Sequence, residues 1–333
     1  MILHIMTMEK FLAPLIDFID KNFGREPHKY VFITSPRYEY NLTKEHDIEF
    51  LYSDDDIFIT LLNYMKESKK IILHGLKRDK INKIFFQNRY LLKKSFWIMW
   101  GGDFYFPEKQ NKLQKFVIEE ISYLVTGTIG EVEYVRDHYN AKGIHIKAFV
   151  YISNMYKDIE ILPRSDNTIK ILVGNSSTKT NHHIEVFNIL KKYKDKNIEI
   201  IVPLSYGDFK YGMKVMEYGY TNFGLKFKPL LDFMSEKEYN NLLSAIDIGI
   251  FNHNRQQGMG NIITLLGLGK KVFMNSNVTT YKMFKNNNIE IFNIENFNIE
   301  PINLTNNRKL IRNIFSEDNF VKELNNLFNY EIY

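Results

Sequence analysis

Residues 169–181 read Ile169-Lys-Ile-Leu-Val-Gly-Asn-Ser-Ser-Thr-Lys-Thr-Asn181, and this stretch decides the fold. A short apolar run breaks at Gly174 into small hydroxyl and amide residues, and a helical pattern follows from His182 to Lys192. A buried strand, a small-residue turn and a helix start together present backbone N–H groups to a phosphate. The stretch lies just past the middle of a 333-residue chain. That length exceeds one compact core, so two domains are expected, the second beginning here.

Toward the C-terminus, Ile198-Glu-Ile-Ile-Val-Pro-Leu204 reads as a strand stopped by Pro203, with Ser205-Tyr206-Gly207-Asp208 as its loop. Tyr211 to Gly219 is helical and Leu225 to Lys228 a short strand. Ser235 to Ala245 is a helix opened by a capping box of Ser235 and Glu238. After the strand Asp247–Phe251 comes Asn254-Arg-Gln-Gln-Gly-Met-Gly-Asn261, entering an apolar helix, Ile262 to Leu268. Polar side chains with Gly258 and Gly260, set between strand and helix, repeat the anion-binding pattern. Arg255 suits bidentate pairing with phosphate, and Gln256 and Gln257 suit sugar hydroxyls or a pyrimidine edge. A surface loop that happens to carry glycines is the plainer alternative. Two such loops in one α/β domain favour a nucleotide-phosphate site, with Gly174, Asn175, Ser176 and Tyr206 on its other side. Neither loop is a Walker motif, because no Gly-Lys-Ser/Thr follows, and the Gly-x-Gly-x-x-Gly spacing is absent. A strand (Lys271 to Asn275), a helix start (Thr280 to Phe284) and a helical tail (Ile314 to Tyr333) complete the half. Residues 168–313 form the donor domain, and 314–333 a helix packing back across the domain interface.

Toward the N-terminus, strands and helices alternate, which predicts a doubly wound, mostly parallel sheet over 1–155. The strands are Ile2–Met6, Tyr30–Thr34, Ile71–Gly75, Ser95–Trp100, Tyr123–Gly127 and a closing Ala148-Phe-Val-Tyr-Ile152. The helices are Glu9–Phe23, Ile57–Lys69, Lys112–Ile121 and Val132–Tyr139. Asn154 to Asn167, with Pro163, reads as the linker. Ligands of open α/β sheets gather outside the carboxyl ends of strands. There stand His4, His74-Gly75 and Trp100-Gly-Gly-Asp-Phe-Tyr105. Asp103, framed by glycines, is either a general base or sugar-hydroxyl acceptor, or else an Asx turn or helix cap. Glu131 suits a helix start, where a carboxylate meets the macrodipole. His4 and His74 are ligand contacts or hydrogen-bonded core residues.

Composition narrows the classes. No cysteine excludes disulfides, thiolate metal sites and cysteine nucleophiles. No acidic or histidine cluster has metal-ligand spacing, and no metal is expected. A net charge of +5 without a dense basic stripe does not indicate nucleic acid. No run approaches the ~20 apolar residues of a membrane span, and the first apolar run is too short for a signal-peptide core. A cytoplasmic protein, soluble or peripherally membrane-bound, is expected.

Four blocks resemble one family: His74-Gly75; Trp100-Gly-Gly-Asp-Phe-Tyr105; Ile171-Leu-Val-Gly-Asn-Ser176 with Asn181-His-His-Ile184; and Arg255-Gln-Gln-Gly-Met-Gly260. In that order they resemble the N-acetylfucosaminyltransferases of enterobacterial common antigen assembly, and His4 matches a family histidine. The resemblance implies a glycosyltransferase-B architecture of two Rossmann-like domains facing a cleft. It implies metal-independent transfer from TDP-N-acetylfucosamine to a polyprenyl-diphosphate-linked saccharide, at the cytoplasmic face of the inner membrane. The donor itself is the only small molecule required, with no cofactor. Gly102 stands where the family has Ala, Glu131 where it has Asp, and Ser177-Thr-Lys-Thr180 replaces a more acidic variant, which leaves the exact sugar open. For the chemistry, Asp103 is the first choice of base, Glu131 the second, and His74 orients the sugar. Glu9 to Phe23 and the basic run Lys191–Lys194 are candidate membrane contacts, with a core-packing helix and a solvated helix end as the stronger alternatives. A different nucleotide-sugar enzyme, such as an epimerase or a transferase to protein, and a non-catalytic nucleotide-sugar-binding protein are the alternatives.

Overall fold

Each half of the chain builds its own parallel sheet, as the alternating pattern predicts. The computed structural model describes residues 1–161 and 166–332. The chain divides into two compact units, one of Met1–Ser153 with Asp318–Tyr333 and one of Asn154–Glu317. The middle of the expected linker, including Pro163, lies outside the described residues.

The first unit holds strands β1 (Ile2–Met6), β2 (His28–Phe32), β3 (Glu49–Phe50), β4 (Lys70–His74), β5 (Ser95–Ile98), β6 (Tyr123–Val125) and β7 (Ile144–Ile146). They form one seven-stranded sheet in the order β3-β2-β1-β4-β5-β6-β7, with every pairing parallel. A parallel sheet is covered on both faces, so its strands read as unbroken apolar runs; all five residues of β4 are buried. The order reverses between β1 and β4, which makes the carboxyl ends of those strands the crevice of this unit. Around it lie α1 (Leu12–Phe23), α2 (Leu62–Glu67), α3 (Asp79–Gln87), α4 (Lys112–Glu120) and α5 (Ile129–Tyr139). The apolar face of α1, Leu12, Ala13, Leu15, Ile16, Phe18 and Ile19, is buried in this unit. Core packing, the plainer of the two readings of Glu9 to Phe23, accounts for the amphipathic pattern.

The second unit carries β8 (Ile169–Val173), β9 (Ile198–Pro203), β10 (Phe227–Leu230), β11 (Ile248–Phe251), β12 (Lys271–Met274) and β13 (Phe292–Asn293). Its sheet runs β10-β9-β8-β11-β12-β13, again wholly parallel. The switch in order falls beside β8, the strand of the opening stretch. Its helices are α6 (His183–Leu190), α7 (Phe209–Phe223), α8 (Glu236–Ala245), α9 (Met259–Gly267), α10 (Thr279–Asn286) and α11 (Thr305–Ile314). The capping box at Ser235 and Glu238 is present. Tyr156 is tied in by its N–H to Phe315 O and its hydroxyl to Gly267 O. In the expected basic contact, Lys191 donates to the Tyr218 hydroxyl and Lys192 to Phe297 O, both within this unit.

A final helix, α12 (Glu317–Phe328), falls almost entirely in the first unit. Buried Lys70 donates to the carbonyls of Leu327, Phe328 and Tyr330 at 2.6, 2.8 and 3.2 Å, satisfying the orphan acceptors of its last turn. Burial pushes this ammonium down to about 8. Glu323 accepts from Phe149 N at 2.8 Å. This explains one departure from expectation. Residues 148–151 are buried but form no strand, because the last strand is Ile144–Ile146 and Phe149 takes its acceptor from α12 instead. Helix α3 and the two-residue β3 were not expected either.

Candidate functional site

In the second unit, three loops leave the carboxyl ends of the adjacent strands β9, β8 and β11. Gly174 turns the chain after β8 with φ +70°, a conformation side chains with a Cβ rarely adopt. A Cβ there would stand 2.7 Å from Asn181 Oδ1 and 2.8 Å from His183 Nε2, so only glycine fits. A one-turn 3₁₀ helix at Lys179–Asn181 follows, and α6 starts at His183. Asn181, wholly buried, organises the loop. Its Oδ1 accepts from Asn175 N at 2.9 Å, and its Nδ2 donates to Thr178 Oγ1 at 2.7 Å. Because Asn181 Oδ1 is an acceptor, His253 must donate to it from Nε2 (2.9 Å), which sets that imidazole's tautomer. Burial pushes His253 down to about 3, so it stays neutral.

Gln257 stitches the loop after β11 to the loop after β8. Its Nε2 donates to Asn175 Oδ1 at 3.0 Å and Thr178 Oγ1 at 3.1 Å, and its Oε1 accepts from Thr180 Oγ1 at 2.6 Å. Asn175 Nδ2 donates to the Tyr206 hydroxyl at 2.9 Å, and Ser177 N to Tyr206 O at 2.8 Å, which joins the loop after β9. The sequence-predicted residues Asn175, Ser176, Tyr206, Gln257 and Gly258 therefore converge; a Cβ on Gly258 would lie 3.3 Å from Asn175 Oδ1. Arg255 donates to Gln256 O at 3.0 Å within the same loop, and Gly260 lies in the first turn of α9. The cradle is thus made of neutral amides and hydroxyls at two helix starts, and Arg255 lies in the loop that supplies Gln257. Asn181, Thr178 and His253 complete it. The first two lie in the opening stretch, where they read as spacing, and only the folded loop gives them partners.

In the first unit, the expected acid–base residues sit inside the protein. Asp103 is wholly buried. Its Oδ2 accepts from Leu76 N (3.1 Å) and Trp97 Nε1 (2.8 Å), and its Oδ1 from Trp100 N (3.0 Å). These donors precede it in sequence, so the arrangement is neither an Asx turn nor a helix cap. It is a latch between the turns after β4 and β5. Burial raises its carboxyl pKa, against the lowering by those hydrogen bonds. Neither oxygen is open to an incoming hydroxyl in this arrangement. Glu131 is also wholly buried, in the first turn of α5, and accepts from the Thr126 hydroxyl.

His74 belongs to a buried ladder. Its Nε2 meets His4 Nδ1 at 3.1 Å, and His4 Nε2 meets His28 Nδ1 at 2.9 Å. At the other end His74 Nδ1 meets the Tyr151 hydroxyl at 3.0 Å, and that hydroxyl accepts from Trp100 Nε1. The indole only donates, so the tyrosine proton is left for His74, and each imidazole in turn donates from Nε2 to the next. Such a ladder requires three neutral rings. Burial first, then neighbouring charges, holds His4 well below its ordinary value and His28 at about 4, and burial holds His74 at about 3. A partly exposed carboxylate at this edge, Glu9, was not singled out for chemistry. It lies on the turn after β1, and its charge helps to raise the Tyr151 phenol. Among the described residues no group of three or more His, Cys, Asp or Glu is placed to hold a metal, and no helix is long and apolar enough to cross a membrane.

Two parallel sheets with polar loops at their strand ends are the architecture seen in glycosyltransferases of the B type. A glycosyltransferase from Rickettsia africae is similar over 98% of this chain and 97% of its own, with a TM-score of 0.71 and 14% identity. Anabaena HepE, solved with UDP and glucose, is similar over 99% of each chain (TM-score 0.65, 12% identity). The lipopolysaccharide outer core galactosyltransferase WaaB is similar over 98% of each (TM-score 0.65, 11% identity). The particular family follows from the sequence model that matches residues 11–320, described as 4-alpha-L-fucosyltransferase, glycosyl transferase group 56. The chain belongs to that family and is a glycosyltransferase.

Proposed function

We propose that the protein transfers a deoxy-acetamido sugar, such as 4-acetamido-4,6-dideoxygalactose, from its TDP-linked form to a saccharide carried on a polyprenyl diphosphate. The reaction would run at the inner face of the cytoplasmic membrane, with the protein peripherally bound, in surface-polysaccharide synthesis. The observation that carries the donor half is the Asn175–Thr178–Gln257 cradle, preassembled at the starts of α6 and α9. Backbone N–H groups there oppose the charge that develops on the departing diphosphate, and Arg255 adds a cation. The acceptor oxygen attacks the anomeric carbon as the bond to the diphosphate breaks, and its proton passes to a base. We assign this step to Glu9, a partly exposed carboxylate on the turn after β1; Asp103 and His74 hold the surrounding turns.

The test is a transfer assay with candidate TDP-sugars, a polyprenyl-diphosphate-linked acceptor and a chelator present. A glycosylated lipid product is expected, and Glu9→Gln should lower kcat by ~10²-fold while sparing donor affinity. Interconversion of free nucleotide sugars without transfer would instead support an epimerase on the same scaffold. Binding of TDP-sugar with no turnover would support a non-catalytic binding protein.

A further inference from the structure

The turn from β4 into the start of α3, Gly75-Leu-Lys-Arg-Asp-Lys80, carries features that donor binding does not use. Helix α3 has nine residues, and its first closed backbone bonds are Ile81 N and Asn82 N to Arg78 O. The amides before them point out of the helix start. Lys77 and Arg78 are exposed there. Of the neighbouring charges, Lys80 pairs with Asp54 at 2.5 Å, and Asp79 accepts from Asn111 Nδ2 at 2.6 Å. One turn into the helix stands Asn82, wholly buried, with neither Oδ1 nor Nδ2 hydrogen-bonded. It lines a small, mainly apolar cavity under the turn, with Ile5, Leu73, Leu76, Thr7 and Arg78. A buried amide left bare is costly, so this one calls for a polar partner.

Beside the turn lies a partly exposed indole. Gly75, at φ +83°, brings its backbone against Trp100, and a Cβ there would stand 3.1 Å from the ring. Lys77 Nζ lies 5.1 Å over that ring. Asp103 fixes both partners at once, through Leu76 N and Trp100 N. The pair is a cationic helix start next to an aromatic face.

We propose that this turn binds the diphosphate of the acceptor, with the adjoining sugar stacked on Trp100. Arg78 and Lys77 supply the charge, the start of α3 the N–H donors, and Asn82 reaches one anionic oxygen directly or through a single water. Asp103 is a positioning residue that keeps the cationic turn and the indole together. The proposal rests on the transferase reading for the acceptor's identity, but the anion site stands or falls separately.

The experiment titrates inorganic pyrophosphate into the full chain by calorimetry, with thymidine diphosphate saturating. One further binding event is expected, weakened about 10-fold or more by Arg78→Ala and several-fold by Asn82→Leu, and unchanged by Lys214→Ala in the second unit. In the transfer assay Arg78→Ala should raise KM for the diphosphate-linked acceptor and leave KM unchanged for the same saccharide lacking the diphosphate. No second event once thymidine diphosphate is bound, or equal affinity in Arg78→Ala, overturns the site. Arg78-dependent pyrophosphate binding in a chain that binds no thymidine diphosphate would keep the site and remove the donor reading.

Discussion

The strand-end loops of the two units share a topology and differ in chemistry. In the second unit, amides and hydroxyls bond to one another across three loops, centred on Asn181 and Gln257. In the first unit, ionisable groups are buried beneath the loops: Asp103 as a three-donor latch, and His28, His4 and His74 as a ladder ending on Tyr151. Amides and hydroxyls keep their donors and acceptors at any pH and can exchange an internal partner for a ligand oxygen at small cost; among the cradle's partners His253 is the ring that must stay neutral. Buried ionisable groups hold their loops only in one protonation state. The comparison therefore assigns adaptable binding to the second unit and a rigid, pH-dependent framework to the first.

The largest effect expected is from Asp103→Ala. It strips the acceptor from three N–H groups and should destabilise the first unit by on the order of 4 kcal/mol, read by urea unfolding. Thymidine diphosphate affinity should be unchanged. A variant as stable as wild type but without turnover would return Asp103 to the role of base and break the contrast.

Acid should act on the same unit. The ladder imidazoles stay neutral in the fold, with His28 at about 4 and His74 at about 3 against 6.5 in the unfolded chain. As pH falls below 6.5 the unfolded chain takes up protons that the folded unit refuses, so stability is present above that value and lost below it. At pH 5.5 the loss should be on the order of 3 kcal/mol. The raised carboxyl of Asp103 acts in the opposite sense, nearer the ordinary carboxylate range. The second unit buries two such rings, His183 and His253, both held at about 3, so its loss should be shallower. Equal pH slopes for the two unfolding transitions would contradict the ladder.

In the second unit Gly174→Ala should act on binding. A left-handed alanine costs ~1–2 kcal/mol, and its Cβ displaces Asn181 and His183. Thymidine diphosphate affinity should fall about 10-fold or more, with the first unit's unfolding unchanged. The smallest effect is from Tyr206→Phe, which removes one exposed hydrogen bond to Asn175 and should weaken the same affinity about three-fold.

Much of the fold was legible because its signals are local. Apolar runs, the break at Gly174, and the box at Ser235 and Glu238 each lie within one element. Helix α3 was missed although Ile81, Ile84 and Phe85 have helical spacing, because lysines and asparagines dilute the pattern. Residues 148–151 resemble a strand because they are apolar and buried, but burial comes from α12 and not from a ladder. Of the site, Asn175, Ser176, Tyr206 and Gln257 were found from glycine-bearing loops. The inward orientation of Asp103 was not, since a glycine-framed aspartate looks the same whether it faces solvent or its own turn.

The sequence by itself determined two parallel α/β units, the strand ends where ligands gather, and the family. Periodicity, turn residues and motif spacing are short-range properties, and the chain carries them whatever it touches. Only the tertiary structure decided which polar residues meet at the strand-end loops and which are buried against one another. The bonds that settle it join residues 70 apart (His4 to His74), 77 apart (His74 to Tyr151) and 82 apart (Asn175 to Gln257). A buried donor or acceptor takes whichever partner the fold brings within about 3 Å, and sequence distance says nothing about that.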